Sequence, residues 1–340
     1  MTVADTIVTK SKGIPGISRI LSVAIVAGSL AAFAWVASGA VQGATTLSDV
    51  RWSPFVGAVA LQFVMLFVLM FIWERLLGRL MPDLYSRRPA PTRAGLFTAY
   101  SRSWLARYIP GRVWAVGGRA LLAHKQGVPP ENVARSMVLE VIFTYGLVTV
   151  IGGALLASAY LHILAGWPVL ILGLLAFVFG VPWAQSILSA GLRGESKASL
   201  LGQIRTKAHR LVVGEHPLTL STGLWGVLAY SVYSLMQLAF IILVASSFTD
   251  LDVQTAAIVA GVWGVSITLG WVSFLAPVGL GVRDGLAFVL FSQIMDPASA
   301  SLVVASSRIV SVAADIVFVG AVELLALGMG VRRTQQQTAS

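Results

Sequence analysis

The chain has 340 residues, of which 57% are hydrophobic and 11% are charged, and its formal net charge is +10. Soluble domains carry charge on about a quarter of their residues, so this composition excludes a water-soluble globule and predicts an all-α polytopic membrane protein. The absence of cysteine excludes disulfides, thiolate metal sites and a catalytic thiol.

Seven apolar runs are long enough for a spanning helix, which needs about 20 residues. They are 20–40, 54–73, 133–158, 163–187, 218–247, 255–276 and 299–328. The first run exceeds the roughly 7–15 apolar residues of a signal peptide, so we expect a retained anchor. Two further segments, 95–123 and 282–295, are too short, too polar or too broken for simple spans and are expected to form re-entrant or broken hairpins.

Basic residues cluster between the runs, and the positive-inside rule assigns these regions to the cytoplasm together with both termini. The clusters are Lys10, Lys12 and Arg19; Arg75, Arg79, Arg87, Arg88 and Arg93; Arg193, Lys197, Arg205, Lys207 and Arg210; Arg332 and Arg333. We expect one membrane domain over 1–340, with a first half of 1–190, a cytoplasmic linker of 191–216 and a second half of 217–330. The polar tail of 331–340 is expected to be disordered.

Two cytoplasmic termini conflict with seven complete crossings, which would leave the ends on opposite sides. A hairpin made of 255–276 and 282–295 that enters from outside resolves the conflict. The first broken segment, between Arg93 and Lys125, then enters from inside, and such a pair is what an inverted-topology repeat requires. The alternative is that 255–276 spans completely and a thin 282–295 crosses a second time.

The two broken segments combine proline, glycine and arginine within apolar sequence, which is typical of the binding sites of inverted-repeat transporters. In the second segment Gly279 and Gly281 precede Arg283. Free N–H groups and the positive end of a helix would favour a phosphate there. Alternatively, Asp284 only caps the helix and pairs with Arg283.

The first broken segment is rich in arginine and aromatic residues, a composition that suits the depth of lipid headgroups. Its members are Arg102, Trp104, Arg107, Tyr108, Arg112, Trp114 and Arg119. A topological role, holding the hairpin on the cytoplasmic side, accounts for Arg102 and Arg107. Arg112 and Arg119, with Trp114, are the stronger candidates for contact with a phosphate.

Ionisable residues within apolar runs cost about 2.5–3.5 kcal/mol each at a helix centre, so they face partners or a wet cavity. Arg308, Asp315 and Glu323 are spaced seven and eight residues apart and share one side of a helix. They form either an internal network or a substrate path, and both place the stripe against protein. Tyr230 and Gln237 share a polar face that lines a cavity or supplies interhelical hydrogen bonds.

Two motifs in order, Tyr-Ile-Pro-Gly-Arg-Val-Trp at 108–114 with Gly118-Arg119 following, and Ala-Pro-Val-Gly-Leu-Gly-Val-Arg-Asp-Gly at 276–285, carry a family resemblance. The sequence resembles, over most of its length, the flippase-like transmembrane region of bacterial lysylphosphatidylglycerol synthases and its stand-alone relatives. The second motif departs from the commoner form at Val278, in place of glycine, and at Asp284, in place of glutamate, which keeps the acid.

The resemblance implies a flippase or scramblase in the bacterial cytoplasmic membrane. Its substrate would be a phospholipid, an aminoacyl-phospholipid or a polyprenyl-phosphate-linked sugar. Because no synthase domain precedes Ser340, we do not expect synthase activity. Anionic lipid headgroups are expected partners, and a lipid-modifying synthase or glycosyltransferase is a further candidate.

No cofactor, metal or nucleic acid is expected, and no catalytic residue is assigned. The pattern G-x-x-x-x-G-K-[ST] does not occur and the four histidines lack ligand spacing. Transport would be passive or driven by the membrane potential, with Glu140, Asp315 or Glu323 as proton relays. Two other classes stay open: a membrane enzyme acting on a lipid-linked substrate, with Glu140 or Asp315 as general base, and a non-transporting partner of a glycosyltransferase or synthase.

Overall fold

A computed structural model describes the chain in five stretches, and the predicted first span, 20–40, lies outside them. The stretches are 50–86, 90–108, 113–191, 218–272 and 281–338. All regular structure within them is helical, which confirms the predicted class. Six helices are long and apolar enough to cross a membrane, and they coincide with the second to seventh predicted runs. The protein is therefore a multi-pass membrane protein.

Nine α-helices follow one another in the described stretches. They are α1 (Trp52–Leu80), α2 (Arg93–Leu105), α3 (Val113–His124), α4 (Pro130–Tyr160), α5 (Gly166–Gly191), α6 (Leu220–Ser246), α7 (Val253–Val272), α8 (Val282–Phe291) and α9 (Pro297–Thr338). Short 3-10 turns at Ala106–Tyr108 and Ile163–Ala165 follow α2 and precede α5. Because α9 continues to Thr338, the tail expected to be disordered is helical as far as that residue.

Helices α1 and α6 run antiparallel along their whole length. At one end the Arg51 amide donates to the Ser247 carbonyl over 3.0 Å, and the Arg51 guanidinium lies 2.6 Å from Asp250 Oδ1. At the other end the Arg79 guanidinium lies 4.9 Å from the centre of the Trp225 ring. The N-terminus of each helix therefore lies beside the C-terminus of the other.

Three helices are too short to span. With 13, 12 and 10 residues, α2, α3 and α8 measure about 20, 18 and 15 Å at 1.5 Å per residue, against about 30 Å of hydrocarbon. Helix α2 packs on α3, and α8 packs on α7. A Cβ added to Gly270, near the end of α7, would lie 3.2 Å from the Arg283 Cα, at the start of α8. The packed pairs α2–α3 and α7–α8 are therefore the first and the second helical hairpin.

Two large clusters of buried apolar side chains, with a smaller third one around Val148, lie between the described helices. One surrounds Trp73 and Phe143, between α1, α2, α4 and α6. The other surrounds Trp263 and Phe291, between α6, α7, α8 and α9. Helix α5 lies at the periphery, where side chains such as Leu172 are exposed, as expected for a helix whose solvent is lipid.

Glycines let α4 and α7 pack with their backbones in contact. A Cβ on Gly261 would lie 2.7 Å from the Gly152 carbonyl oxygen, and a Cβ on Gly264 would lie 2.7 Å from the Val148 carbonyl oxygen. Small residues at such spacing are how membrane helices approach closely. Because the obstacles are backbone atoms, no rotamer change can make room for a larger side chain.

We expect Gly264→Val to force α4 and α7 apart and to lower the free energy of unfolding by about 1–3 kcal/mol, the usual cost of overpacking. Thermal unfolding of the purified protein in detergent measures the effect. The matched control is Gly320→Val on α9, where a Cβ meets nothing within 4 Å. Equal losses of stability in both variants would contradict the close approach.

Candidate functional site

A cavity of about 240 Å³ lies between the two hairpins, and all the described helices except α5 contribute to its wall. Its wall combines aromatic rings such as Trp104 and Trp271 with hydroxyl groups. Four arginines reach it: Arg107, Arg119, Arg283 and Arg308. The cavity therefore joins residues of both broken segments, although they are separated by about half the chain.

Arg119, on α3, is held in a buried network. Its Nη1 donates to Glu140 Oε2 over 2.6 Å and its Nε donates to Ser103 Oγ over 3.1 Å. The hydroxyl of Tyr100 donates to the other oxygen of Glu140 over 3.1 Å, and the guanidinium lies 4.1 Å from the Tyr100 ring centre. With Arg119 only 3% exposed, Glu140 neutralises its charge at the cavity wall.

Asp315 ties the first hairpin to α9. This carboxylate is fully buried and accepts a hydrogen bond from Trp104 Nε1 over 2.8 Å. It also accepts from the Arg107 guanidinium and the Tyr108 hydroxyl. Arg107 lies 4.1 Å from the Trp104 ring centre, so a second arginine of the cavity is paired with its own carboxylate.

From sequence alone Arg107 had only a topological role and no connection with Asp315. One signal was present. Trp104, Arg107 and Tyr108 are spaced i, i+3, i+4, and residues at this spacing lie on one face of a helix. An aromatic, basic and hydroxyl group on one face indicates a shared anionic partner.

Asp284 is shared by two arginines. The Arg283 Nε donates to Asp284 Oδ1 over 2.7 Å, and the Arg308 Nε lies 3.9 Å from Asp284 Oδ2. All three side chains are largely buried, and the Arg283 guanidinium lies 4.9 Å from the centre of the Trp263 ring. Because one carboxylate faces two guanidiniums, this wall of the cavity is the more positive one.

At the start of α8, Gly281 and Asp284 have different roles. Gly281 has φ of 87°, a conformation that strongly favours glycine, and it begins the helix without a side-chain cap. The carboxylate of Asp284 pairs with Arg283 instead of capping α8. Gly281 therefore serves the backbone conformation at the start of α8, and Asp284 serves the charge balance.

The charges that surround the cavity do not cancel. Among the described residues, four guanidiniums face the carboxylates of Glu140, Asp284 and Asp315, which leaves a net charge of +1. The volume of 240 Å³ is below the roughly 300–1,000 Å³ of sites that enclose a whole small molecule. The site thus suits a small anionic group whose remainder stays outside.

Two of the three stripe residues on α9, Arg308 and Asp315, face protein, as both interpretations of the stripe predict. Arg308 is 4% exposed and Asp315 is fully buried. Glu323, whose side chain is 30% exposed, accepts two hydrogen bonds from the exposed Arg102, of 2.7 and 2.8 Å. Arg308 and Ser311 line the cavity, whereas Glu323 is not part of its wall.

The polar face of α6 divides between cavity and core. Gln237 lines the cavity and donates to the Tyr233 hydroxyl over 3.0 Å. Tyr230 is fully buried, and its ring stacks on Phe143 with the ring centres 5.6 Å apart. Of the two predicted residues, Gln237 belongs to the site and Tyr230 to the core.

Three predicted site residues cannot be placed relative to the cavity. Arg112, Gly279 and the side chain of Trp114 lie outside the described part of the structure, as does the linker from 192 to 216. Among the residues that are described, no group of histidine, cysteine, aspartate and glutamate side chains is arranged to hold a metal ion.

The fold and this site define a polytopic helical membrane protein with an arginine-lined internal cavity between two helical hairpins. No protein-family model, curated protein or solved structure matches the chain. The geometry of the cavity and the two motifs therefore carry the functional proposal.

Proposed function

We propose that this protein translocates a phosphate-bearing lipid between the leaflets of the bacterial cytoplasmic membrane, as a flippase or scramblase. The observation that carries the proposal is a cavity whose described residues have a net positive charge, inside a multi-pass helical protein. A phosphate group matches its charge, and a headgroup matches its size. The acyl or prenyl chains would stay in the hydrocarbon of the bilayer while the headgroup moves, so they would not have to be transferred into water.

The cavity wall offers a way to exchange anions. Arg283 and Arg308 share Asp284, so a phosphate that enters between them competes with that carboxylate for the same donors. Arginine suits this contact because its planar fork donates two parallel hydrogen bonds to phosphate. Capture of a headgroup would thus loosen the link between α8 and α9, which couples binding to movement of the second hairpin.

We further propose that the two halves form an inverted repeat. Helix α2 ends at Leu105 and α7 at Val272; α3 ends at His124 and α8 at Phe291; α4 begins at Pro130 and α9 at Pro297.

Each of these pairs is separated by 167 residues, and the start and end of α1 and α6 agree with this spacing to within one residue. A constant spacing over four helix pairs supports one structural unit used twice.

Helix packing supports the same conclusion. Exchange of α1 with α6, α2 with α7, α3 with α8 and α4 with α9 turns each main contact among these helices into another observed contact. For example, α4 on α7 becomes α9 on α2, and α3 on α4 becomes α8 on α9. The contact between α1 and α6 maps onto itself, so a pseudo-two-fold axis would pass between them.

The antiparallel course of α1 and α6 makes this relation an inversion, because equivalent helices run in opposite directions. The first hairpin follows a basic region and would enter from the cytoplasmic side, whereas the second follows Asp250 and Asp252 and would enter from outside. The cavity lies where the hairpins meet. Rocking of one half against the other would open it to each leaflet in turn.

Reconstitution into liposomes with fluorescently labelled phosphatidylglycerol tests the function. We expect Ser311→Trp to fill the cavity and stop movement of the labelled lipid to the other leaflet. Ile309→Trp, on the same helix at a side chain that is 61% exposed, should translocate as the unsubstituted protein does.

Mass spectrometry of the lipids before and after incubation should return the same molecules, because an enzyme would change them covalently. Equal activity of the two tryptophan variants would contradict a route through the cavity.

A further inference from the structure

A second pocket, of about 510 Å³, lies at the C-terminal end of α1 and does not share residues with the central cavity. Its wall combines the end of α1, the turn that follows, the start of α2 and the start of α6. Its residues are Glu74, Arg75, Gly78, Arg79, Tyr85, Arg93 and Trp225. Neither the cavity nor the proposed route of the lipid uses them.

Three arginines surround a single acid in this pocket. Glu74 is 3% exposed, and its oxygens lie 3.3 Å from the Arg93 Nε and 3.5 Å from the Arg75 Nε. Among the described residues, Arg79 forms no ion pair with Glu74, and its guanidinium lies over the Trp225 ring. The described wall therefore carries a net charge of +2, and the Arg75 and Arg93 side chains are 67% and 61% exposed.

Tyr85 does not alter this charge. Its hydroxyl donates to Glu74, and burial, followed by that hydrogen bond, raises the pKa of Tyr85 to about 12. The phenol is neutral at physiological pH, so the excess of two positive charges persists there. At physiological pH the described wall therefore offers two excess positive charges to a monoanionic or dianionic group.

Gly78 opens the pocket. It lies within α1, where glycine is a poor helix former, and a Cβ added to it would meet no atom within 4 Å. Close packing in the described structure therefore does not require glycine at this position. The missing side chain leaves the space between Arg75 and Arg79 clear.

The depth of the pocket matches lipid headgroups. Helix α1 has 29 residues and measures about 43 Å at 1.5 Å per residue, so its end extends beyond about 30 Å of hydrocarbon. Trp225 lies near the first turn of a neighbouring span, and tryptophan is enriched at this interface. The basic cluster assigns this end to the cytoplasmic side, where anionic lipids attract basic residues.

We propose that this pocket is a separate binding site for the phosphate group of an anionic glycerophospholipid of the cytoplasmic leaflet. Arg75, Arg79 and Arg93 contact the phosphate, and Trp225 packs beside the glycerol region. The site anchors the ends of α1 and α6, the two helices on the proposed axis. The inference does not depend on lipid translocation by the central cavity.

Native mass spectrometry of the intact protein in detergent tests the site, with dioleoylphosphatidylglycerol as probe and dioleoylphosphatidylcholine as the zwitterionic comparison. We expect Gly78→Leu to remove one phosphatidylglycerol binding event. Arg75→Gln and Arg79→Gln should each weaken that event by about fivefold, the effect of one basic residue near an anionic surface. Gly78→Ala and Lys125→Gln, which removes an exposed charge elsewhere, should bind as the unsubstituted protein does.

Unchanged binding in Gly78→Leu and in both arginine variants would overturn the proposal, and so would an equal loss in Lys125→Gln. The same measurement is repeated with inorganic phosphate as competitor. If phosphate at the same concentration as the lipid displaced phosphatidylglycerol, the pocket would be a site for free phosphate, and the assignment to lipid would be overturned. Ser311→Trp should retain this binding event. Its failure in translocation would therefore remain distinguishable from failure of this site.

Discussion

Arg283→Gln and Arg308→Gln are each expected to slow translocation of labelled phosphatidylglycerol in liposomes by roughly tenfold to a hundredfold. A hydrogen bond to a charged group is worth about 1.5–3 kcal/mol, and each 1.4 kcal/mol is about a factor of ten. Either substitution leaves Asp284 with one arginine and removes the excess positive charge of that wall. The phosphate then loses its advantage over the carboxylate.

A lipid without phosphate separates this role from a structural one. A glycosyl diacylglycerol with the same label should be affected little by either substitution, because no anion is bound. Lys125→Gln removes an exposed charge and should leave both lipids unaffected. Equal slowing of the neutral and the anionic lipid would show that Arg283 and Arg308 only support the fold.

Arg119→Ala is expected to lower the free energy of unfolding by about 3–5 kcal/mol, the cost of removing one partner of a buried ion pair. Glu140 would remain buried, with only the Tyr100 hydroxyl as a donor among the hydrogen bonds described above. Thermal unfolding in detergent measures the loss. From sequence alone Arg119 was a candidate for contact with a phosphate, whereas its buried pair with Glu140 predicts a loss of stability.

Two further variants test the explanation. Arg102→Ala breaks an ion pair with Glu323 whose side chains are 55% and 30% exposed, so it should cost at most about 1 kcal/mol. The double variant Arg119→Met with Glu140→Leu removes both buried charges and should regain much of the stability. If Arg119→Ala instead unfolded as the unsubstituted protein does but failed to translocate lipid, Arg119 would be a substrate contact.

The sequence alone was sufficient to predict the membrane class, the six described helices that are long and apolar enough to span, and the position of the two short-helix segments. These features depend on local properties, since a run of apolar residues fits the bilayer whatever its neighbours are. Proline and glycine interrupt a helix through their own backbone, so 95–123 and 282–295 were recognisable as broken. The stripe of Arg308 and Asp315 also followed from helical spacing.

Only the tertiary structure decided which charges neutralise each other. Arg107 and Asp315 are separated by 208 positions, and their contact depends on how the first hairpin packs against α9. From the sequence, Arg119 and Arg283 appeared equivalent. In the structure Arg119 is the one arginine paired with Glu140 among the described residues, whereas Arg283 and Arg308 both pair with Asp284. Periodicity defines the face of a helix, but the partner of that face depends on rotation and packing between helices, which no local pattern specifies.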